Sequence, residues 1–203
     1  MKSKIHEHLS ARGKKSIDEV SKRMLYILFI LAFGANIVFG QVFKANSGTV
    51  RFFSEATIEN IEATNKRVSS LLNTETKQLV FQIPITSFEF DKDLMKEHFN
   101  ENYLESEKYA KGTFNGKIVE DIDFTKDGVH KASAKGVLII HGVEKERMIN
   151  GTITIKDGVI SLTGKFVIVL MDHKVKIPKI LWSNIAEQVE VTINVTYEPY
   201  VKK

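Results

Sequence analysis

Hydrophobic and polar residues alternate from Ala132 to Leu170, with short interruptions at two predicted turns. In the middle of this stretch Ile149, Ile153 and Ile155 share one register, while polar residues such as Thr152 occupy the other. A period of two sustained over such a length predicts antiparallel strands with one apolar face. Three long strands joined by two hairpins are therefore predicted here.

The two turns determine which residues face each other across these strands. Asp157-Gly158 between alternating runs indicates a two-residue type I′ turn, whereas Gly142 to Lys145 is interpreted as a four-residue loop. The first turn predicts the pairs Ile155–Ile160, Ile153–Leu162, Gly151–Gly164 and Ile149–Phe166, and the second predicts Leu138–Ile149 and Gly136–Gly151.

Three glycines, Gly136, Gly151 and Gly164, fall side by side on the apolar face in these registers. Glycine inside a strand marks either a bend of the sheet or a place where a ligand comes close to the backbone. Both interpretations stay open at this point, and both favour a curved sheet.

Further strands are predicted on both sides of this stretch. They occupy residues 49–53, 58–64, 68–72, 77–85, 113–120 and 189–197. Pro84 suggests a strand end or edge, and the helical spacing of Leu94, Met95, His98 and Phe99 predicts one or two short helices. A sheet of eight or nine strands with one apolar face must pack on a second sheet or close on itself. Because the strands are long and the hairpins tight, the predicted fold is all-β: an extended antiparallel up-and-down barrel of about eight strands, with the helices covering an end.

The inward register of this barrel combines small residues with aromatic ones. Ala132, Ala134 and Gly116 lie in it beside Phe81 and Phe114. So much small volume predicts an elongated apolar cavity for a chain-like hydrophobic molecule, and a packed core with glycine bends is the alternative. The predicted ligand-binding residues are Phe52, Phe81, Ile83, Phe114, Gly136, Leu138, Ile140, Arg147, Gly151, Ile153, Phe166, Ile168, Val191 and Ile193.

Arg147 is the charged residue in that set, and its register places it inward near the end of its strand. Two roles are open for it. It meets a hydroxyl or anionic head group at the mouth of the barrel, or it extends its side chain to water.

The first forty residues differ in composition from the rest of the chain. Residues 1–23 are polar and basic, residues 24–40 are apolar, and the segment ends Val38-Phe39-Gly40. This order is typical of a secretory signal peptide. We therefore expect residues 1–40 to be a leader cleaved near Gly40, and residues 41–203 to be a periplasmic or secreted β-barrel domain. An uncleaved anchor is the alternative, although the apolar run is shorter than the about 20 residues that span a bilayer.

The net charge of +4 comes from this leader. Residues 1–40 hold seven Lys/Arg and three Asp/Glu, and basic and acidic residues are equal in number beyond them. A neutral domain gives no reason to expect a nucleic-acid partner. The chain contains no cysteine, which excludes disulfides and thiolate chemistry.

Two regions of the sequence resemble the YceI-like family. The run Gly136 to Lys145 resembles that family's G-x-L-t-I-x-G-v-x-k segment, and upstream His98-Phe99-Asn100, Glu107-Lys108-Tyr109-Ala110 and Thr113-Phe114 resemble its H-l-…-F-…-e-k-y-P-…-i-x-F block, with Ala110 where proline is usual. The resemblance covers roughly Gly48 to Tyr197. It implies an extended lipocalin-like barrel, secreted or periplasmic, that binds a polyisoprenoid or similar amphiphile in its lumen.

Motifs of known catalytic sites are absent from the sequence, among them G-x-S-x-G, H-E-x-x-H and the P-loop. The histidines beyond residue 41, which are His98, His130, His141 and His173, lack the spacing of metal ligands. We therefore expect neither an enzyme nor a metal or cofactor site.

Two functions remain. One is an envelope protein that holds a long-chain apolar lipid such as a polyisoprenoid in the lumen, and that touches membranes only through the leader or during ligand exchange. The other is a non-catalytic structural or adhesion module of the envelope, whose barrel is filled by side chains.

Overall fold

The computed structural model describes residues 42–55, 60–177 and 186–200. The predicted leader and signal peptide lie outside the described residues. The described chain forms β1 (Val42–Ser54), β2 (Ile61–Asn65), β3 (Ser69–Asn73), β4 (Gln78–Pro84), β5 (Phe88–Phe90), α1 (Asp93–His98), β6 (Lys111–Ile118), β7 (Gly128–Ile140), β8 (Val143–Lys156), β9 (Val159–Val169) and β10 (Gln188–Pro199). A π-helical turn, Phe99–Tyr103, continues α1, and a 3₁₀ turn, Leu170–His173, follows β9.

The strands close into one antiparallel barrel. β2 and β3 pair with different ends of β1, so they are two halves of one interrupted strand. β5 and β4 lie against these halves in the same way. Counted so, eight strand positions follow one another around the barrel in sequence order, and β10 pairs back onto β1. The predicted up-and-down barrel is confirmed, with one short helix.

Asn65 accounts for the interruption between β2 and β3. Its fully buried side chain accepts a hydrogen bond from the backbone N–H of Arg67 at 2.8 Å and donates one to the carbonyl oxygen of Pro84 at 2.7 Å. An asparagine side chain that bonds the backbone two residues on replaces the strand ladder by a local turn. β4 ends at Pro84 itself, which agrees with the first of the two predicted alternatives.

The turn between β8 and β9 has the predicted form. Asp157 and Gly158 have φ values of +51° and +77°, as a type I′ turn requires, and the three pairs predicted nearest the turn are formed. The fourth, Ile149–Phe166, is wrong, because the ladder between β8 and β9 ends at Gly151–Gly164. Towards residue 143, β8 pairs with β7 alone.

The turn between β7 and β8 is shorter than predicted. It consists of His141 and Gly142, with φ values of +51° and +71°, so the predicted four-residue loop and the pairs derived from it are wrong. Gly136 lies between Gly116 of β6 and Arg147 of β8. The predicted row of three glycines is therefore two separate pairs, one of them on β6 and β7 and the other on β8 and β9. Because the register moves by an even number of residues, each side chain keeps its predicted face.

Contacts from distant parts of the chain hold this short turn. The His141 ring packs edge-on against Tyr109 with ring centroids 4.6 Å apart, its Nε2 lies 2.6 Å from a carboxylate oxygen of Glu105, and its Nδ1 donates to the carbonyl oxygen of His173 at 3.1 Å. A side chain at Gly142 would collide with the Tyr109 ring. A non-glycine residue with positive φ is uncommon, and here three tertiary contacts fix it.

The two ends of the barrel differ in construction. The end that carries the Asp157-Gly158 turn and the loop of residues 119–127 is called the packed end, because Leu72, Ile160 and Tyr197 are at most 1% exposed there. The opposite end carries α1, the His141-Gly142 turn and the 3₁₀ turn, and is called the helix end.

A hydrogen-bonded chain closes the core of the packed end. Ser70 donates its hydroxyl hydrogen to the carbonyl oxygen of Val80 at 2.8 Å, so the hydroxyl of Tyr197, 2.7 Å away, donates to Ser70 Oγ. Burial raises the pKa of Tyr197 well above its ordinary value, which keeps the phenol neutral.

Candidate functional site

An apolar cavity of about 510 Å³ lies in the barrel between the packed end and the helix end. Its volume is within the range of about 300–1,000 Å³ that is usual for small-molecule sites. Most of the wall consists of inward side chains of β1, β4 and β6 to β10, and α1 contributes Leu94, Met95 and His98 at the helix end. Within the described residues, Lys92 is the one permanently charged residue of the wall. The interior is therefore suited to an uncharged, apolar guest.

Twelve of the fourteen residues predicted to bind a ligand lie on the cavity wall. They are Phe52, Phe81, Ile83, Phe114, Leu138, Ile140, Gly151, Ile153, Phe166, Ile168, Val191 and Ile193. Gly136 and Arg147 are not part of the wall. Inward register was a good guide to the wall because alternation fixes the face of a whole strand at once.

Gly136 is explained by backbone packing. A Cβ atom there would collide with the carbonyl oxygen of Asn115 and with the Cα of Gly116 on β6. Close contact between β6 and β7, which was not one of the two predicted explanations, therefore accounts for this glycine.

The two glycines of the second pair differ in the space around them. A Cβ at Gly151 would collide with the carbonyl oxygen of Thr163, whereas a Cβ at Gly164 would meet nothing nearer than Asn150 O at 3.7 Å and Ile149 Cγ2 at 3.8 Å. Gly151 is thus required by the close approach of β9, while Gly164 leaves free volume at the cavity wall.

The wall is open beside this pair. β8 and β9 stop pairing at Gly151–Gly164, and the cavity here also borders Asn150 and Thr163, whose exposed side chains lie on the outer face. The cavity therefore reaches solvent between β8 and β9.

A cluster of four phenylalanines forms the wall at the helix end. Phe52, Phe88, Phe90 and Phe99 pack with ring centroids between 5.0 and 5.8 Å apart. Sequence analysis assigned Phe52 to the wall and missed the other three. Phe88 and Phe90 lie on the short strand β5 and Phe99 on the helical turn, so no long alternating pattern marks them.

Arg147 connects β8 to the 3₁₀ turn. One of its terminal nitrogens lies 2.9 Å from a carboxylate oxygen of Asp172. This ion pair was not predicted, and the two roles predicted for Arg147 stay predictions, since its side chain remains 28% exposed. The ion pair holds the 3₁₀ turn beside the part of β8 that does not pair with β9.

His173 belongs to the same turn and lies in the cavity wall. It is fully buried, and its Nδ1 lies 3.3 Å from the carbonyl oxygen of Val143. Burial lowers the pKa of His173 below its ordinary value, so the ring is neutral at physiological pH.

Neither a metal centre nor a membrane-spanning helix is found in the described parts of the chain. No three side chains of His, Cys, Asp or Glu are grouped there so as to hold an ion. No helix in these ranges has the length and apolar character needed to cross a bilayer.

Comparison with known proteins gives a family and a fold. Residues 41–197 match the model of the YceI-like domain. A polyisoprenoid-binding domain from Saccharophagus degradans, implicated in plant cell wall breakdown, is 16% identical with a TM-score of 0.65 over 79% of this chain and 99% of its own. BcnA of Burkholderia cenocepacia is 15% identical with a TM-score of 0.63, over 73% of this chain and 95% of its own. The YceI protein of Campylobacter jejuni is 22% identical with a TM-score of 0.54, over 73% and 90%. No curated protein matches the sequence.

Proposed function

This chain belongs to the YceI-like domain family, and from that premise we propose that it is a non-catalytic lipid-binding protein of the cell envelope. A long apolar amphiphile of the polyisoprenoid class occupies the barrel lumen. The observation that carries the proposal is the cavity of about 510 Å³ with an apolar wall, in a barrel whose packed end is filled by side chains.

The ligand class is supported by the wall and by one structural relative. Phenylalanine, isoleucine and leucine side chains offer contact to an apolar chain along the lumen, and each square ångström of apolar surface removed from water contributes about 25 cal/mol. The similar domain from Saccharophagus degradans is described as polyisoprenoid-binding.

The envelope location is supported by the leader, with its basic segment followed by an apolar segment that ends at Gly40. Cell fractionation followed by intact mass measurement tests this part of the proposal. A mass that corresponds to residues 41–203 in the envelope fraction is expected. Full-length protein in the cytoplasmic fraction would contradict it.

Native mass spectrometry of the purified protein, followed by organic extraction, tests lipid binding. We expect an adduct that organic solvent releases as an apolar chain. A bare protein mass, together with no uptake of an added long-chain isoprenoid alcohol, would contradict the proposal and favour the structural module.

A pair of variants on β9 links the binding to the lumen. Gly164→Leu projects a side chain into free volume at the cavity wall, and we expect it to reduce lipid uptake severalfold. Val167→Leu on the same strand is the control, since Val167 is 47% exposed and outside the wall. Equal uptake by the two variants would place the ligand elsewhere.

A further inference from the structure

Four buried side-chain atoms lack a hydrogen-bond partner in the described structure. They are Asn100 Oδ1, His130 Nε2, Arg147 Nε and His173 Nε2. Of these four residues, His173 alone contributes to the cavity wall. A buried polar atom without a partner is costly, so an atom of this kind beside a cavity points to a group on the bound guest.

The protein fixes the orientation of the His173 ring. Its Nδ1 is engaged by the carbonyl oxygen of Val143, and its own carbonyl oxygen accepts a hydrogen bond from His141, which is in turn held by Glu105. These contacts join the 3₁₀ turn to the β7–β8 turn and to the segment that follows α1. The protein therefore engages the Nδ1 edge of the ring, whereas Nε2 has no partner among the described residues of this cavity wall.

The tautomer follows from these partners. The oxygen near Nδ1 is a carbonyl and only accepts, so Nδ1 carries the hydrogen of the neutral ring. Burial, the largest influence, and the nearby Arg147 lower the pKa of His173, which outweighs the carbonyl oxygens of Val143 and Ile140 and the carboxylate of Asp172. Nε2 consequently has a lone pair and no hydrogen, and it is a hydrogen-bond acceptor.

We propose that His173 Nε2 accepts a hydrogen bond from the head group of the bound amphiphile, so that the cavity selects a head group that donates, a hydroxyl or an amide N–H. This inference rests on the proposed function and adds a specificity determinant to it. A head group with acceptors alone leaves Nε2 without a partner. A phosphate or pyrophosphate would moreover bring negative charge beside a ring whose neighbouring cation, Arg147, is already paired with Asp172.

The test compares two ligands with the same apolar chain. Geranylgeraniol carries a hydroxyl group, and its methyl ether has an oxygen of similar size that only accepts. We expect the full-length wild-type protein to bind the alcohol about tenfold more tightly, the ratio for one hydrogen bond at the upper end of its usual contribution. His173→Asn keeps an amide donor near the Val143 carbonyl but lacks the Nε2 atom, and His173→Phe removes both groups. Both variants are expected to bind the two ligands with equal affinity.

His130→Phe is the matched control. It replaces another histidine whose Nε2 is buried and without a partner, but one that lies outside the cavity wall, and it is expected to keep the preference for the alcohol. If the His173 variants fail to fold, the ¹⁵N resonance of His173 Nε2 in the wild type decides: it shifts on addition of the alcohol and stays unchanged with the ether.

The outcomes separate the inference from the function on which it rests. Equal wild-type affinity for the two ligands, or a preference that survives in His173→Asn, overturns the role of His173 and leaves lipid binding intact. Binding of neither ligand overturns both.

Discussion

At the packed end the strands bring Leu72, Ile160 and Tyr197 together with almost no exposed surface, whereas between this end and the helix end the same barrel contains an open cavity of about 510 Å³. The backbone is not built alike along the barrel, because β2 to β5 are half-strands and β8 pairs with β9 only as far as Gly151–Gly164. Side-chain size and wall closure differ as well. Near the cavity the inward positions include Ala132, Ala134 and Gly164, and β8 separates from β9.

An eight-stranded barrel leaves an interior that is either filled by side chains or holds one small ligand. In this molecule, one part of the barrel interior is filled by side chains and the next part along the axis is a cavity. The filled part supplies stability and a floor for the cavity, and the hollow part supplies the binding surface. The two parts are therefore expected to respond differently to the same mutation.

Truncation of leucine gives the largest expected difference. Leu72→Ala removes a fully buried side chain from the packed end, and we expect the free energy of unfolding to fall by about 2–5 kcal/mol. Leu162→Ala makes the same chemical change in a half-buried side chain of the cavity wall. Because that side chain already borders free space, a loss of about 1–2 kcal/mol is expected.

Urea denaturation of both variants, together with a lipid-binding assay, checks this contrast. Leu72→Ala is expected to keep the lipid affinity of the folded protein, and Leu162→Ala to lower it. Equal losses of stability would mean that the cavity wall at Leu162 is packed as densely as the packed end.

Alanine substitutions in the Gly151–Gly164 pair test where the free space of the cavity begins. Gly151→Ala places a Cβ against the carbonyl oxygen of Thr163, so we expect a loss of about 1–3 kcal/mol in the free energy of unfolding. Gly164→Ala, directly opposite, meets no atom nearer than 3.7 Å. It is expected to be neutral or to stabilise by about 0.4–1 kcal/mol, because alanine restricts the unfolded chain. Thermal or urea unfolding of the two variants measures the difference, and a reversed order would contradict the assigned wall geometry.

Much of this fold could be predicted from alternation alone, because a period of two assigns every residue of a strand to a face. Twelve predicted wall residues lie on the wall for that reason. Register could not be predicted as well. Asp157-Gly158 is a strong local turn signal, but the His141-Gly142 turn depends on Tyr109, Glu105 and His173, which are distant in sequence.

The helix end was the least predictable part of the site. The wall residues there come from a three-residue strand, a short helix and a 3₁₀ turn, and such segments carry little periodicity. The placement of Arg147 shows the same limit. The register predicted the inward face of its strand position correctly. Its ion pair with Asp172, however, arises from the 3₁₀ turn, which no local sequence pattern predicted.

Two variants of the hydrogen-bonded pair at the packed end distinguish its donor, Tyr197, from its acceptor, Ser70. Ser70→Ala leaves the buried Tyr197 hydroxyl without a partner, and a loss of about 1–3 kcal/mol is expected. Tyr197→Phe leaves Ser70 bonded to Val80 and should cost only about 0.5–1.5 kcal/mol. Urea denaturation of the two variants measures this order, and equal costs would contradict the assigned direction of the bond.

The same tyrosine makes the packed end sensitive to alkali. The pKa of Tyr197 is raised by burial in the folded state, so its contribution to stability is full below the ordinary tyrosine value of about 10 and is lost as pH rises above it. In a series of urea titrations between pH 8 and about 11, the wild type is expected to lose stability more steeply than Tyr197→Phe. Parallel curves would show that the phenol titrates alike in both states.

At the helix end, His173 is expected to make the free energy of unfolding fall as pH decreases, by less than Tyr197 makes it fall as pH increases. The pKa of His173 is lowered by burial, while the unfolded chain binds a proton below about pH 6.5. The contribution of the neutral ring is therefore full above that pH and is lost as pH falls below it. The groups that face this ring are Arg147, Asp172 and the carbonyl oxygens of Val143 and Ile140. Because Asp172 and these carbonyls favour the charged form and oppose the effect of burial, a modest slope is expected.

His173→Asn should flatten the decline in the free energy of unfolding between pH 7 and about 5, while Tyr197→Phe, which does not titrate there, should retain it. A slope that survives in His173→Asn would mean that protons bind elsewhere, and that the ring is not held neutral against the cavity.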